Sequence, residues 1–164
     1  MNNAINWARR FDPNRVKVNL NNRYKSNGKI NKVVILYMNN KANAKIILPN
    51  NRTKPAEFGS GFTNNKYAGE GYGRLLRAMA TKVAQKAKYK KVLHLGHKMN
   101  NKRPHSKVAN STYIMREVLG YRPNKYYKNW SVFEFNKNSM NKVNGLLRNW
   151  KTSATLPKPS SKRG

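Results

Sequence analysis

The sequence predicts an α+β domain: a mixed, mostly antiparallel sheet flanked by helices, with a basic C-terminal extension. Three observations carry this expectation. Residues 16 to 48 contain alternating or β-branched apolar runs separated by short polar stretches, the pattern of paired strands. At Tyr72 the apolar period lengthens from two to that of an amphipathic helix. Beyond that helix, short strand-like runs return on either side of a second helical stretch.

In chain order, Ile5 to Phe11 suits one or two helical turns, ended at Asp12-Pro13 because the residue before proline is pushed away from helix. Val16, Val18 and Leu20 alternate with polar residues and mark a half-buried strand. Asn21 to Asn31 is polar, with a turn signal at Ser26-Asn27-Gly28. Lys32–Met38 and Asn43–Leu48 read as a hairpin joined by residues 39–42. Pro49 to Pro55 reads as a linker. Ala56 to Thr63 reads as a strand in which Gly59 and Gly61 signal a bulge or a close backbone approach.

The strongest helix starts at Tyr72 and gathers Leu75, Leu76, Met79, Ala80, Val83, Ala84 and Ala87 on one face. Lys91–Leu95 is a short strand, followed by a basic loop from His97 to Ala109. Ser111 is an N-cap candidate for a helix carrying Ile114, Met115, Val118 and Leu119, closed by Gly120 in the left-handed conformation. Trp130–Phe135 is a further strand. Residues 137–164 form the basic extension after a domain spanning 1–136; within the extension Val143–Trp150 suits a short helix, and Lys151–Gly164 is a Ser/Pro/Lys tail.

Charge is the dominant compositional feature. Against 35 Lys and Arg stand five acids, for a net charge of +30. One basic run is commonly a solvated face, but here the surplus appears in every segment, and such self-repulsion calls for an anionic partner. Nucleic acid, an acidic protein lattice or an anionic membrane surface would each serve. The chain has no cysteine, which excludes disulfides, thiolate metal sites and a cysteine nucleophile. His94 and His97 lack a third ligand at useful spacing, so no metal is expected. Met1–Arg10 has no apolar core of signal-peptide length, and no window is apolar enough to span a membrane. The expected setting is intracellular or a virion.

Gly69, Gly71 and Gly73 lie where the chain turns into the long helix. Glycines there let a backbone approach a phosphate, whose charge the free amides and helix dipole favour. Their alternative role is a tight strand-to-helix turn alone. The spacing fits neither a dinucleotide fingerprint, whose third Gly is Arg74 here, nor a P-loop. The run Tyr67–Leu76 (YAGEGYGRLL) resembles the pyrophosphate-binding turn of GNAT-type N-acetyltransferases, with Gly69, Gly71, Tyr72 and Gly73 on the motif. Met115–Tyr121 (MREVLGY) is similar to that family's later helix end, and the match of elements runs over residues 56–135. The resemblance implies a GNAT-like fold and acetyl-CoA as the cofactor, held by Gly69, Gly71, Tyr72, Gly73 and Arg74.

Three departures bear on chemistry. The motif's leading Arg/Gln is Ala68, leaving Arg74 or Lys66 to compensate. The position of the family's frequent general acid, a Tyr, is Arg116; Tyr113, one helical turn earlier, is the substitute candidate. Only the polar stretch Asn21–Asn31 separates the first two strands, where the family usually places the helices of its acceptor wall. Glu57 sits where some members carry a base, and alternatively pairs with a neighbouring cation.

Two functions follow. One is an acetyl-CoA-dependent N-acetyltransferase with Glu57 as base and Tyr113 as acid. The favoured one is a structural or binding protein on a GNAT-like scaffold, a component of a large assembly such as a virion. As a minor capsid or cement protein it would contact acidic protein or nucleic acid. Its polyanion contacts would be Lys98, Lys102, Arg103 and Lys107 in the loop and Lys151, Lys158, Lys162 and Arg163 in the tail. A free tail of this composition is expected to be disordered, so an ordered one needs such a partner.

Overall fold

The computed structural model describes residues 2–24, 28–96, 112–126 and 129–152. Helix α1 (Asn2–Phe11) precedes strands β1 (Lys17–Tyr24), β2 (Ile30–Met38), β3 (Ala42–Leu48), β4 (Ala56–Phe58) and β5 (Phe62–Thr63). Helix α2 (Tyr72–Lys86), β6 (Lys91–Leu95), the π-helical turn α3 (Ile114–Val118), β7 (Arg122–Pro123), β8 (Trp130–Glu134) and α4 (Lys137–Thr152) complete the order. The strands form one sheet in the order β1-β2-β3-β4-β6-β8-β7, with β5 paired to β3. Every pairing is antiparallel except β4 with β6. The fold is therefore α+β with a mixed, mostly antiparallel sheet, as expected.

The sheet buries one face. Val34, Leu36, Ala44, Ile46, Leu48, Val92 and Phe133 alternate onto that face and are buried, because successive strand side chains point to opposite sides. Against them lies α2, whose Leu75, Leu76, Met79, Ala80, Val83 and Ala84 are wholly buried. Each such Leu or Met contributes about 1.5–3 kcal/mol by leaving water. Helices α1, α3 and α4 each pack on α2 and so share its side of the sheet. On the other face Val33, Ile35, Ile47, Glu57, Leu93 and Val132 stay half-exposed.

Several elements run further than the sequence pattern indicates. β1 continues through the polar residues Asn21–Tyr24, paired rung by rung with β2 down to Tyr24–Ile30. It is an edge strand, so its backbone needs a partner on one side only and its side chains need not be apolar. Residues 25–29 are then all that joins β1 to β2, a hairpin connection with no room for an acceptor wall of helices. The expected strand over 56–63 is divided at its glycines. The Gly59 amide donates to the Lys45 carbonyl at 3.0 Å, and a Cβ on Gly61 would stand 3.1 Å from the Asn43 carbonyl oxygen. α4 covers the whole of 137–152, and its Met140, Val143, Leu147 and Trp150 join the core past residue 136. α3 is wound with a wider ring than an α-helix, the Leu119 amide reaching the Ile114 carbonyl at 2.9 Å. Gly120 follows at φ 87°, the left-handed closure expected. The Ser111 cap lies outside the described residues.

Candidate functional site

β4 and β6 run side by side for two rungs only, Ala56–Val92 and Glu57–Leu93. Beyond them the chain after β4 bends through Gly59–Gly61 to pair with β3 as β5, while β6 goes on to Leu95 beside β8. The sheet thus opens at the C-terminal ends of its two parallel strands, the place where such sheets hold ligands. From β5 a 3₁₀ turn, Asn65–Tyr67, capped by Asn64, leads into the glycine run.

The three glycines have different physical causes. Gly69 and Gly71 adopt φ 86° and 87°, which side chains disfavour. Gly73 is needed for space: a Cβ there would lie 2.7 Å from Arg77 Nη1 and 3.1 Å from Thr63 Oγ1. The first helical bond of α2 runs from the Leu75 amide to the Gly71 carbonyl at 3.1 Å, and no side chain caps the helix. The amides of Tyr72, Gly73 and Arg74 have no acceptor within the helix.

Beside this helix start is a cavity of about 610 Å³ walled by Glu70, Gly71 and Arg74, by Glu117 of α3, and by Lys142 and Trp150 of α4. The Trp150 ring lies 4.0 Å from where a Gly71 Cβ would be. Its Nε1–H donates to Asp12 Oδ2 at 3.0 Å, its ring meets Tyr72 edge-on at 5.9 Å, and the Arg15 guanidinium stacks over it at 4.9 Å. Two carboxylates face two cations here, so the cavity is close to balanced in a strongly cationic protein. Burial, then a hydrogen bond to the Glu70 carboxylate, pushes the Tyr72 phenol up to about 12.

A buried polar cluster lies behind the opening, on the core face of the sheet. His94 of β6 sits between Phe58 and Tyr121, with ring centroids 6.2 and 6.4 Å away. Its Nε2 is buried with no hydrogen-bond partner among the described residues. Desolvation, then the Arg77 and Arg116 charges, hold its pKa down to about 4, so the imidazole is neutral. Arg116 donates to Ser131 Oγ at 3.1 Å, and Ser131 is the cross-strand neighbour of His94. The Thr81 hydroxyl donates to the Arg77 carbonyl at 2.9 Å and accepts from the Tyr121 hydroxyl at 2.9 Å. By residue type alone His94 is a potential metal ligand. Its alternation with Val92 was the signal for a core-facing histidine. Among the described residues no cluster of potential ligands could hold a metal ion.

Glu57 and Tyr113 are not brought together. Glu57 pairs with Ile47 and Leu93, on the sheet face turned away from α2. Tyr113 precedes α3 on the α2 side and is 41% exposed. Gly69, Gly71, Tyr72, Gly73 and Arg74 are contiguous at the turn, with Arg74 half-buried in the cavity wall and Lys66 exposed. Lys151 is exposed at the end of α4, its Nζ 5.9 Å over the Phe11 ring. Lys98, Lys102, Arg103, Lys107, Lys158, Lys162 and Arg163 lie outside the described residues. No helix among the described residues is long and apolar enough to cross a membrane. Comparison with family models and with curated proteins finds no match for this chain.

Proposed function

We propose that this chain is a polyanion-binding protein on a GNAT-like scaffold, a structural component of a large assembly rather than a working enzyme. The observation that carries the reading is a cation surplus far larger than the chain's own carboxylates can neutralise. Against 35 Lys and Arg stand five acids, of which Asp12 is paired with Arg15. Such a surface is stabilised by an external anion, either nucleic acid or an acidic protein. A virion, with this chain as minor capsid or cement protein, is one setting that supplies both. The separation of Glu57 from Tyr113, and Arg116 hydrogen-bonded to Ser131, support a binding role. The test is binding to nucleic acid across a salt series: affinity falls steeply as counterions are released, and a flat response removes the nucleic-acid arm.

A second reading is an acetyl-CoA-dependent N-acetyltransferase. It is favoured by the uncapped amides of α2 beside Gly69 and Gly71, next to the opening of the sheet. Gly69, Gly71, Tyr72, Gly73 and Arg74 would hold the pyrophosphate, opposed by the Glu70 carboxylate. Calorimetry with acetyl-CoA at moderate salt, with a polyphosphate control, tests it. Saturable binding that Gly71→Trp abolishes supports the assignment; binding that survives the change removes it.

A further inference from the structure

At the end of the sheet opposite the α2 turn, a groove of about 410 Å³ runs between the 49–55 connection, the start of β6 and the end of β8. Four cations line it, Arg52, Lys54, Lys90 and Lys91, against the single carboxylate of Glu134. None of the four forms an ion pair among the described residues. The groove is thus more cationic than the cavity beside Gly71, which has two carboxylates for its two cations.

The groove is also braced. Arg52 lies 5.8 Å over the Tyr89 ring, whose hydroxyl donates to the Pro49 carbonyl. Asn51 Oδ1 accepts from both the amide and the hydroxyl of Thr53, at 3.0 and 2.8 Å, and the Asn51 carbonyl accepts from the Lys54 amide at 3.1 Å. The loop therefore presents Arg52 and Lys54 in a fixed turn. Lys91 stands across from Glu134 on the half-exposed face of the sheet, and the half-buried Phe135 supplies an aromatic wall.

We infer that this groove binds the phosphodiester backbone of a single-stranded nucleic acid, with phosphates among the four cations and a base against Phe135. The inference rests on the polyanion reading and narrows it to one site and one partner class. Clustered cations beside an aromatic surface are what single strands use, whereas an acidic peptide has no use for the ring.

The experiment follows a fluorescein-labelled oligothymidine by anisotropy from about 50 to 200 mM salt. Two triple variants of equal charge loss are compared: Arg52→Gln/Lys90→Gln/Lys91→Gln in the groove, and Arg9→Gln/Arg10→Gln/Lys17→Gln on exposed positions elsewhere. The groove triple is expected to weaken binding about tenfold or more and flatten the salt slope, the other triple less than about threefold. Phe135→Leu should weaken the oligonucleotide but leave inorganic tripolyphosphate unaffected. Equal weakening by both triples overturns the groove and leaves the broader reading standing. No salt-dependent binding by the unaltered protein overturns the groove and the nucleic-acid arm of that reading. Tighter binding of polyglutamate than of oligothymidine overturns the choice of nucleic acid.

Discussion

Acid should unfold this protein through His94 before the carboxylates dominate. The imidazole is held neutral on the core face of β6, with Arg77 approaching from α2, Arg116 from α3, and the Phe58 and Tyr121 rings beside it. Protonating it in place would put a third positive charge beside two guanidinium groups. In the unfolded chain the same group titrates at its ordinary 6.5, against about 4 when folded. Between those values the unfolded chain binds more protons, so stability is complete above about pH 6.5 and falls as the pH drops toward 4. Linkage gives a loss of about 2 kcal/mol from pH 7 to pH 5, as an upper estimate. Urea unfolding of the unaltered protein and of His94→Phe at both pH values measures it, since phenylalanine keeps the ring and removes the titration. The variant should lose less by about that amount. An equal loss in both proteins would refute the assignment.

Three further substitutions probe the same region by denaturant midpoint. Trp150→Phe keeps the ring against Tyr72 but loses the bond to Asp12, and should cost about 1 kcal/mol. Gly71→Ala should cost about 1–2 kcal/mol from its left-handed φ alone, because the nearest atom leaves room for a methyl group. Tyr121→Phe removes the hydroxyl that donates to Thr81 and should cost about 1 kcal/mol, while Thr81 keeps its bond to the Arg77 carbonyl.

The β2–β3 hairpin and the face of α2 were legible because a single rule, period two or period 3.6, decides where their apolar residues lie. β1 beyond Leu20 was not, since Asn21–Tyr24 are held by backbone pairing to β2, and Asn21, Asn22 and Arg23 stay exposed. α4 was half visible: Met140, Val143, Leu147 and Trp150 keep helical spacing, but Asn138, Asn141 and Asn144 around them obscure its first turns. At the site, the glycines signalled a special turn, yet sequence alone does not separate Gly71, which needs its φ, from Gly73, which makes way for Arg77. The cluster around His94 and the groove around Arg52 draw on residues far apart in the chain. Only the folded sheet brings them together.

The two-rung pairing of β4 with β6 has a consequence for the order in which the molecule assembles. On one side of it, residues 17–63 form a run of neighbouring hairpins; on the other, residues 91–134 build their own antiparallel piece. The β1–β2 and β2–β3 hairpins close short loops and can form early, whereas both the β6–β8 pairing and the parallel join must wait for long connections to close. The hairpin half is then in place before the two parallel rungs, Ala56–Val92 and Glu57–Leu93, attach the rest of the sheet to it. Amide exchange at these rungs should be faster than in the middle of β2 or β3, so the protein would breathe along its centre rather than at its edges.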